Sequence, residues 1–240
     1  MSRYEPSPEI GISGLKRWGG AIGEEFIREL KGEKKIRILN EMETNDAIVG
    51  GVMFAINNIL GQTKFMVNPG GDTAEDKFLA EFVDSCRNDM SSSWSETMSE
   101  IRTFLSKGFS YHEIVYKWRG GPDQDDAMFR SKFSDGRIGW RKLPGRAQET
   151  LVDNWVFDEN GGIQGVIQKA PPDYRDRFIP IQKALLFRTS VQKNNPEAQS
   201  ILRTAYRSWF FKKNIQNIEG VGIERDLCGL PILYLPPELM

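Results

Sequence analysis

One stretch near the C-terminus constrains this chain more than any other. Residues 196–236 read PEAQSILRTAYRSWFFKKNIQNIEGVGIERDLCGLPILYLP. Ile201, Leu202, Ala205, Tyr206, Trp209, Phe210, Ile215 and Ile218 fall at helical spacing, and Arg203, Arg207, Lys212 and Lys213 supply a basic side. From Glu197 to Glu219 such a helix runs about 35 Å at about 1.5 Å per residue. The bulky rings of Tyr206, Trp209, Phe210 and Phe211 cover most of its circumference, so it needs neighbours on several sides. Gly220 and Gly222 are expected to loosen or kink it before a Gly229-Leu230-Pro231 exit. A self-contained enzyme domain rarely closes on such a helix. A building block of an oligomer can, because other copies supply the missing packing.

The totals narrow the alternatives. With 240 residues, 39% of them hydrophobic and 27% charged, the chain can bury a real core. Its formal net charge of -1 argues against tight DNA binding through a basic surface, though not against letting DNA slide past. Cys86 and Cys228 lie far apart without a CxxC pair, which reads as two reduced thiols in a cytosolic setting. The N-terminal twenty residues have no apolar core of a secretory signal, and no uncharged apolar run approaches the roughly 20 residues of a membrane span. The expectation is a soluble intracellular product with no membrane partner.

Along the chain, helices come first, then strands, then one long helix. Residues 1–22, with Pro6, Pro8, Gly11 and Gly14, read as an arm with little structure of its own. A first helix is expected over Glu24–Leu30. Thr44 or Asn45 is expected to cap a second, in which Ile48, Val49, Val52, Met53, Ile56, Ile59 and Leu60 recur at helical spacing and Gly61 closes the run. After an extended piece over 63–68, helices are expected over Thr73–Cys86 and Ser93–Ser106. Ser93 and Glu96 suit a capping box, and Gly108 suits a C-terminal cap. Strands are read at 111–118, 137–143, 151–158, 163–169 and 184–189, with Asn160-Gly161-Gly162 as a hairpin turn. Blocks of each type, rather than strict alternation, argue for an α+β fold with a mostly antiparallel sheet.

Candidate chemistry is thin. His112 is the sole histidine and lies in a strand pattern. Gly70-Gly71-Asp72-Thr73 lacks the Gly-Lys-Ser/Thr ending of a phosphate loop. Counted from Asp123, Met128 and Ser134 stand where a calcium loop needs Gly and Glu. Glu113 and Lys117, near Asp123, are the best enzymatic alternative, a metal-dependent nuclease, but their spacing departs from the usual Glu-x-Lys. No catalytic, metal or cofactor site is assigned.

The run from Ser200 through Tyr206, Trp209, Lys212 and Lys213, then Gly222-Ile-Glu224-Arg225-Asp226 and Gly229-Leu230-Pro231, resembles portal proteins of tailed bacteriophages, in particular the Mu-like portals. Weaker likeness extends upstream through Phe109–Trp118 and Leu143–Asp158 to about residue 40. The resemblance implies a homo-oligomeric ring, typically of twelve subunits, at one vertex of the capsid of a virion. It would be assembled in the host cytoplasm, beside the major capsid protein. Double-stranded DNA would enter through it during packaging and leave through it at ejection. It further implies a wing domain over 23–195, a stem helix over 196–227 and the start of a clip over 228–240, where the terminase large subunit and the head–tail adaptor dock. On that reading Arg203, Arg207, Lys212 and Lys213 face the channel or pair between subunits. Tyr206, Trp209 and Phe210 pack the stem, and Gly229, Leu230 and Pro231 belong to the docking surface. Twelve helices about 10 Å wide form a ring of roughly 120 Å circumference with a bore on the order of 28 Å, enough for a B-form duplex. Portals continue through a second stem helix and a crown, so an end at Met240 reads as a portal interrupted in its clip. A different capsid or tail adaptor is the blander alternative.

Overall fold

A computed structural model describes residues 11–229 and 236–237. The chain divides between Ile201 and Leu202 into two compact units.

The first unit opens on a short hairpin, β1 (Arg17–Trp18) and β2 (Ala21–Ile22), inside the segment expected to lack structure. Five α-helices follow. The first, α1 (Gly32–Asn45), replaces the expected helix over Glu24–Leu30, of which only a 3-10 turn at Arg28–Leu30 forms. Ile36, Leu39 and Met42 recur at helical spacing along α1 and are buried. Thr44 and Asn45 therefore end one helix rather than cap the next. The cap of α2 (Ala47–Gly61) is Asp46, whose carboxylate accepts from the amides of Ile48 and Val49 at 2.9 and 3.2 Å.

Helix α3 (Ala74–Asn88) starts on a reciprocal capping box between Thr73 and Asp76, and α4 (Trp94–Ile101) starts on the expected one between Ser93 and Glu96. The helix expected to reach Ser106 breaks at Arg102 and resumes as α5 (Thr103–Lys107). It stops at Gly108, whose φ of 97° suits glycine and whose missing side chain leaves room for the Glu197 carbonyl.

The expected strand over 111–118 is two strands in two sheets, β3 (Phe109–Glu113) and β4 (Val115–Trp118), because the chain crosses over at Ile114. The others are β5 (Ile138–Lys142), β6 (Gly145–Arg146), β7 (Trp155–Phe157), β8 (Ile163–Lys169), β9 (Asp176–Pro180) and β10 (Ala184–Arg188). All pairings are antiparallel: β10-β3-β6, β4-β5 and β7-β8-β9. The fold is α+β, as expected. Two short strands, β6 and β9, carry no alternation that would have revealed them.

The core lies where these sheets meet α1. Trp155 stands edge-on to Phe109 and Tyr111, with ring centroids 5.5 and 5.9 Å away, and Ile36, Leu151 and Val166 close around them. Tyr111 satisfies its hydroxyl on the Ile179 carbonyl at 3.0 Å, and burial pushes its phenol well above the ordinary range. Both faces of β3 are covered, so Phe109, Ser110, Tyr111 and His112 are buried in succession rather than alternately.

A five-residue 3-10 turn, Ile201–Ala205, runs across the division, and the main element of the second unit is one continuous helix, α6 (Tyr206–Cys228). The expected helix began nine residues earlier. Segment 196–200 is instead tied to the body. Glu197 accepts from the Trp155 indole at 3.2 Å and pairs with Lys35 at 3.6 Å, Ser200 donates to the Ser106 carbonyl, and Ala198 has a positive φ. No helix can start through such a segment. Gly220 and Gly222, expected to kink the helix, lie inside it unbroken.

Candidate functional site

Helix α6 holds six of the ten residues singled out from the sequence. Its 23 residues span about 35 Å at about 1.5 Å per residue. Tyr206 and Trp209 are buried, and Tyr206 stacks obliquely on both Trp209 and Phe210 at 6.1 and 5.9 Å. Phe210 is nonetheless 43% exposed, and beyond it Phe211, Ile215, Ile218, Val221, Ile223 and Leu227 are all more than half exposed. These residues point in every direction around the axis, so the helix has no polar face to give to water. Polar side chains are spread round it as well, so no side is purely apolar or purely polar, and the exposed apolar groups remain to be covered by other packing partners.

Charge along α6 is segregated. Arg207, Lys212 and Lys213 sit in its first half, and Glu219, Glu224 and Asp226 in its second, with Arg225 among them. This order opposes the helix macrodipole, which favours acids at the start and bases at the end. Local stability is therefore not what sets the distribution. Arg207 lies over the Phe211 ring and Lys213 over the Trp209 ring, at 5.8 and 5.2 Å. Arg203 falls in the 3-10 turn that precedes the helix. Gly229, with a φ of 71°, closes α6 through its amide on the Asp226 carbonyl at 3.3 Å. Leu230 and Pro231 lie outside the described residues.

A second unpartnered surface went unnoticed in the sequence. Helix α2 carries no charged side chain, yet only Met53 is buried, while Ile48 is 71% and Phe54 70% exposed, and Val52 and Ile59 are also bare. The repeat that marked the helix does not mark a buried face. The available signal was the absence of any charge between Asp46 and Lys64.

The residues weighed for nuclease chemistry have other partners. Glu113 is ion-paired with Arg146. Lys117 is buried and donates to the Asp89 and Arg130 carbonyls at 2.6 and 2.9 Å, with the Asp89 carboxylate at 3.0 Å. The structure does not bring the two into one site. Among the described residues no group of three or more His, Cys, Asp or Glu side chains is arranged to hold a metal. His112 is buried with Nδ1 at 3.1 Å from the Leu143 carbonyl, which assigns the proton to Nδ1. Burial pushes its pKa down, against the smaller opposing effects of that hydrogen bond and of Glu100.

These features define a class: an α+β body followed by a long helix that has no separate polar face and exposes apolar side chains along its length. A family model described as the portal protein of Mu bacteriophage matches residues 36–232 and so spans both units. The chain belongs to that family, whose context is the phage capsid. Among the described residues no helix is long and apolar enough to cross a membrane.

Proposed function

We propose that this chain is a subunit of a portal ring, placed at one capsid vertex as the conduit for packaging and ejecting double-stranded DNA. The observation that carries this reading is α6, a helix of 23 residues without a polar face, lying within the match to the portal family. Copies of α6 side by side around an axis would cover its exposed isoleucines and phenylalanines. The bare face of α2 would be covered by neighbouring copies in the same ring. A twelve-fold arrangement suits helices about 10 Å wide surrounding a duplex.

In this ring the stem is α6, with Arg203, Arg207, Lys212 and Lys213 lining the channel or pairing between subunits. Tyr206, Trp209 and Phe210 pack the stem. The segment from Gly229 through Leu230 and Pro231 faces the terminase large subunit during packaging and the head–tail adaptor afterwards, and the body meets the major capsid protein. The role is structural, not enzymatic. Assembly takes place in the host cytoplasm, and the finished ring is part of the virion.

The test is native mass spectrometry of the purified protein over a range of concentration and salt. A closed oligomer whose mass is one fixed multiple of the chain supports the ring. A monomer under every condition would remove it.

A further inference from the structure

A cavity of about 550 Å³ opens in the body unit between the end of α3, the loop over 122–132 and the end of β5. Its charge is out of keeping with the chain. Five cationic side chains line it, Lys117, Arg130, Lys132, Arg141 and Lys142, against one carboxylate, Asp89. The lining therefore carries a formal +4 (five minus one), in a protein of net charge -1.

Lys117 and Asp89 neutralise each other. The Lys117 ammonium is consumed by three oxygens, and the Asp89 carboxylate also accepts from the Ser131 hydroxyl at 2.7 Å and the Lys132 amide at 2.8 Å. This buried pair is a floor that holds the loop against α3. The other four cations are a different matter. Among the described residues none has a carboxylate within ion-pair distance. Arg130 uses Nε on the Gln124 carbonyl, Lys132 reaches the Asn88 carbonyl, and Arg141 lies over the Phe129 ring at 5.8 Å. Asp123, Asp125 and Asp126 belong to the same loop but are not among the residues that line the cavity, and Asp126 is occupied in capping the turn at Met128.

Four like charges converging without counter-ions repel one another, and the fold retains them on a scaffold fixed by a buried pair. We infer that this cavity is a binding site for an acidic peptide segment of a partner protein. Shape and lining favour a peptide over nucleic acid. A duplex cannot enter a cavity of this volume. Single strands are held on aromatic platforms, and no Phe, Tyr or Trp is among the lining residues. The apolar part of the wall is instead Met90, Met128, Pro122 and Ala127. Methionine adapts to aliphatic side chains, so the fitting ligand alternates carboxylates with small apolar groups. The site does not rest on the proposed ring, because all of its lining lies in the body unit.

Fluorescence anisotropy tests this on the full chain with three labelled probes. They are a short peptide alternating glutamate and leucine, the same peptide with glutamine for glutamate, and a short DNA duplex. The glutamate peptide should bind best, weaken about tenfold from about 50 to about 500 mM salt, and weaken at least about tenfold in the R130E/K142E double variant. Circular dichroism checks that this variant folds. If it does not, R130Q/K142Q should still weaken binding by about threefold or more. The inference is overturned by no binding of the glutamate peptide, by equal binding of the glutamine peptide, by unchanged affinity in the folded variant, or by tighter binding of the duplex.

Discussion

Lys117 shows how far a single side chain can mislead when read from its neighbours in sequence. Beside Glu113 it suggested metal chemistry, yet its side chain is only 4% exposed and its charge serves to hold Asp89, itself 2% exposed. Burial raises the Asp89 pKa, but hydrogen bonds from Ser131, Lys132 and Lys117 outweigh it and keep the carboxyl below its ordinary 3.8. A depressed carboxyl stabilises the fold above its unfolded pKa, and that stability is lost as pH falls below 3.8. Replacing Lys117 with methionine leaves a buried carboxylate with hydrogen bonds but no counter-charge. We expect a loss of about 3 kcal/mol, at the lower end of the range for broken buried pairs, read from urea unfolding at neutral pH. His112 has the corresponding effect nearer neutrality. Its folded pKa lies below 6.5, so the unfolded chain takes up a proton that the folded one refuses, and stability falls as pH drops from 6.5 toward that lower value. In His112→Asn, whose amide still donates, the drop in urea midpoint between about pH 7.5 and about pH 5.5 should shrink. An undiminished drop would place the titration elsewhere.

At the scale of elements, α6 is a continuous rod despite two internal glycines. No atom lies within 4 Å of where a Cβ would stand at Gly220 or Gly222, so alanine fits both. Each substitution should stabilise the helix by about 0.5–1 kcal/mol, raising its melting temperature in far-ultraviolet circular dichroism without loss of assembly. Lost assembly would mean that the glycines serve as a hinge or a close helix contact. Much of this level could be read in advance. The capping box at Ser93, the cap at Gly108, the hairpin around Gly161 and β8 are set by local chemistry and are found where expected. The failures share a cause. Helix α1 is not legible in the sequence because Lys34, Lys35 and Arg37 dilute its apolar repeat, whereas packing of Ile36 into the core with the distant sheet residues stabilises it. The start of α6 was misplaced because Glu197 is held by Lys35 and Trp155, contacts 162 and 42 residues away that no window of sequence contains. The bare face of α2 was invisible because an apolar repeat says which residues leave water, not whether their own chain covers them.

At the scale of the whole molecule, the exposed apolar surface of α2 and α6 is the property that the proposed ring would account for. Charged replacements on α6 separate folding from association. Ile215→Asp with Ile218→Asp, at positions 60% and 73% exposed, should leave the body's unfolding transition in place while abolishing oligomers in native mass spectrometry. Retained oligomers would shift the interface to α2. The central claim, a ring closed around a DNA-sized channel with α6 as its wall, is tested most directly by a single-particle image of the assembled protein viewed down its symmetry axis. The account predicts a closed ring, twelve-fold or close to it, with a central opening on the order of 28 Å bordered by copies of α6. An open chain of subunits, a ring without a through-channel, or an opening bordered by the body unit with α6 at the periphery would contradict it.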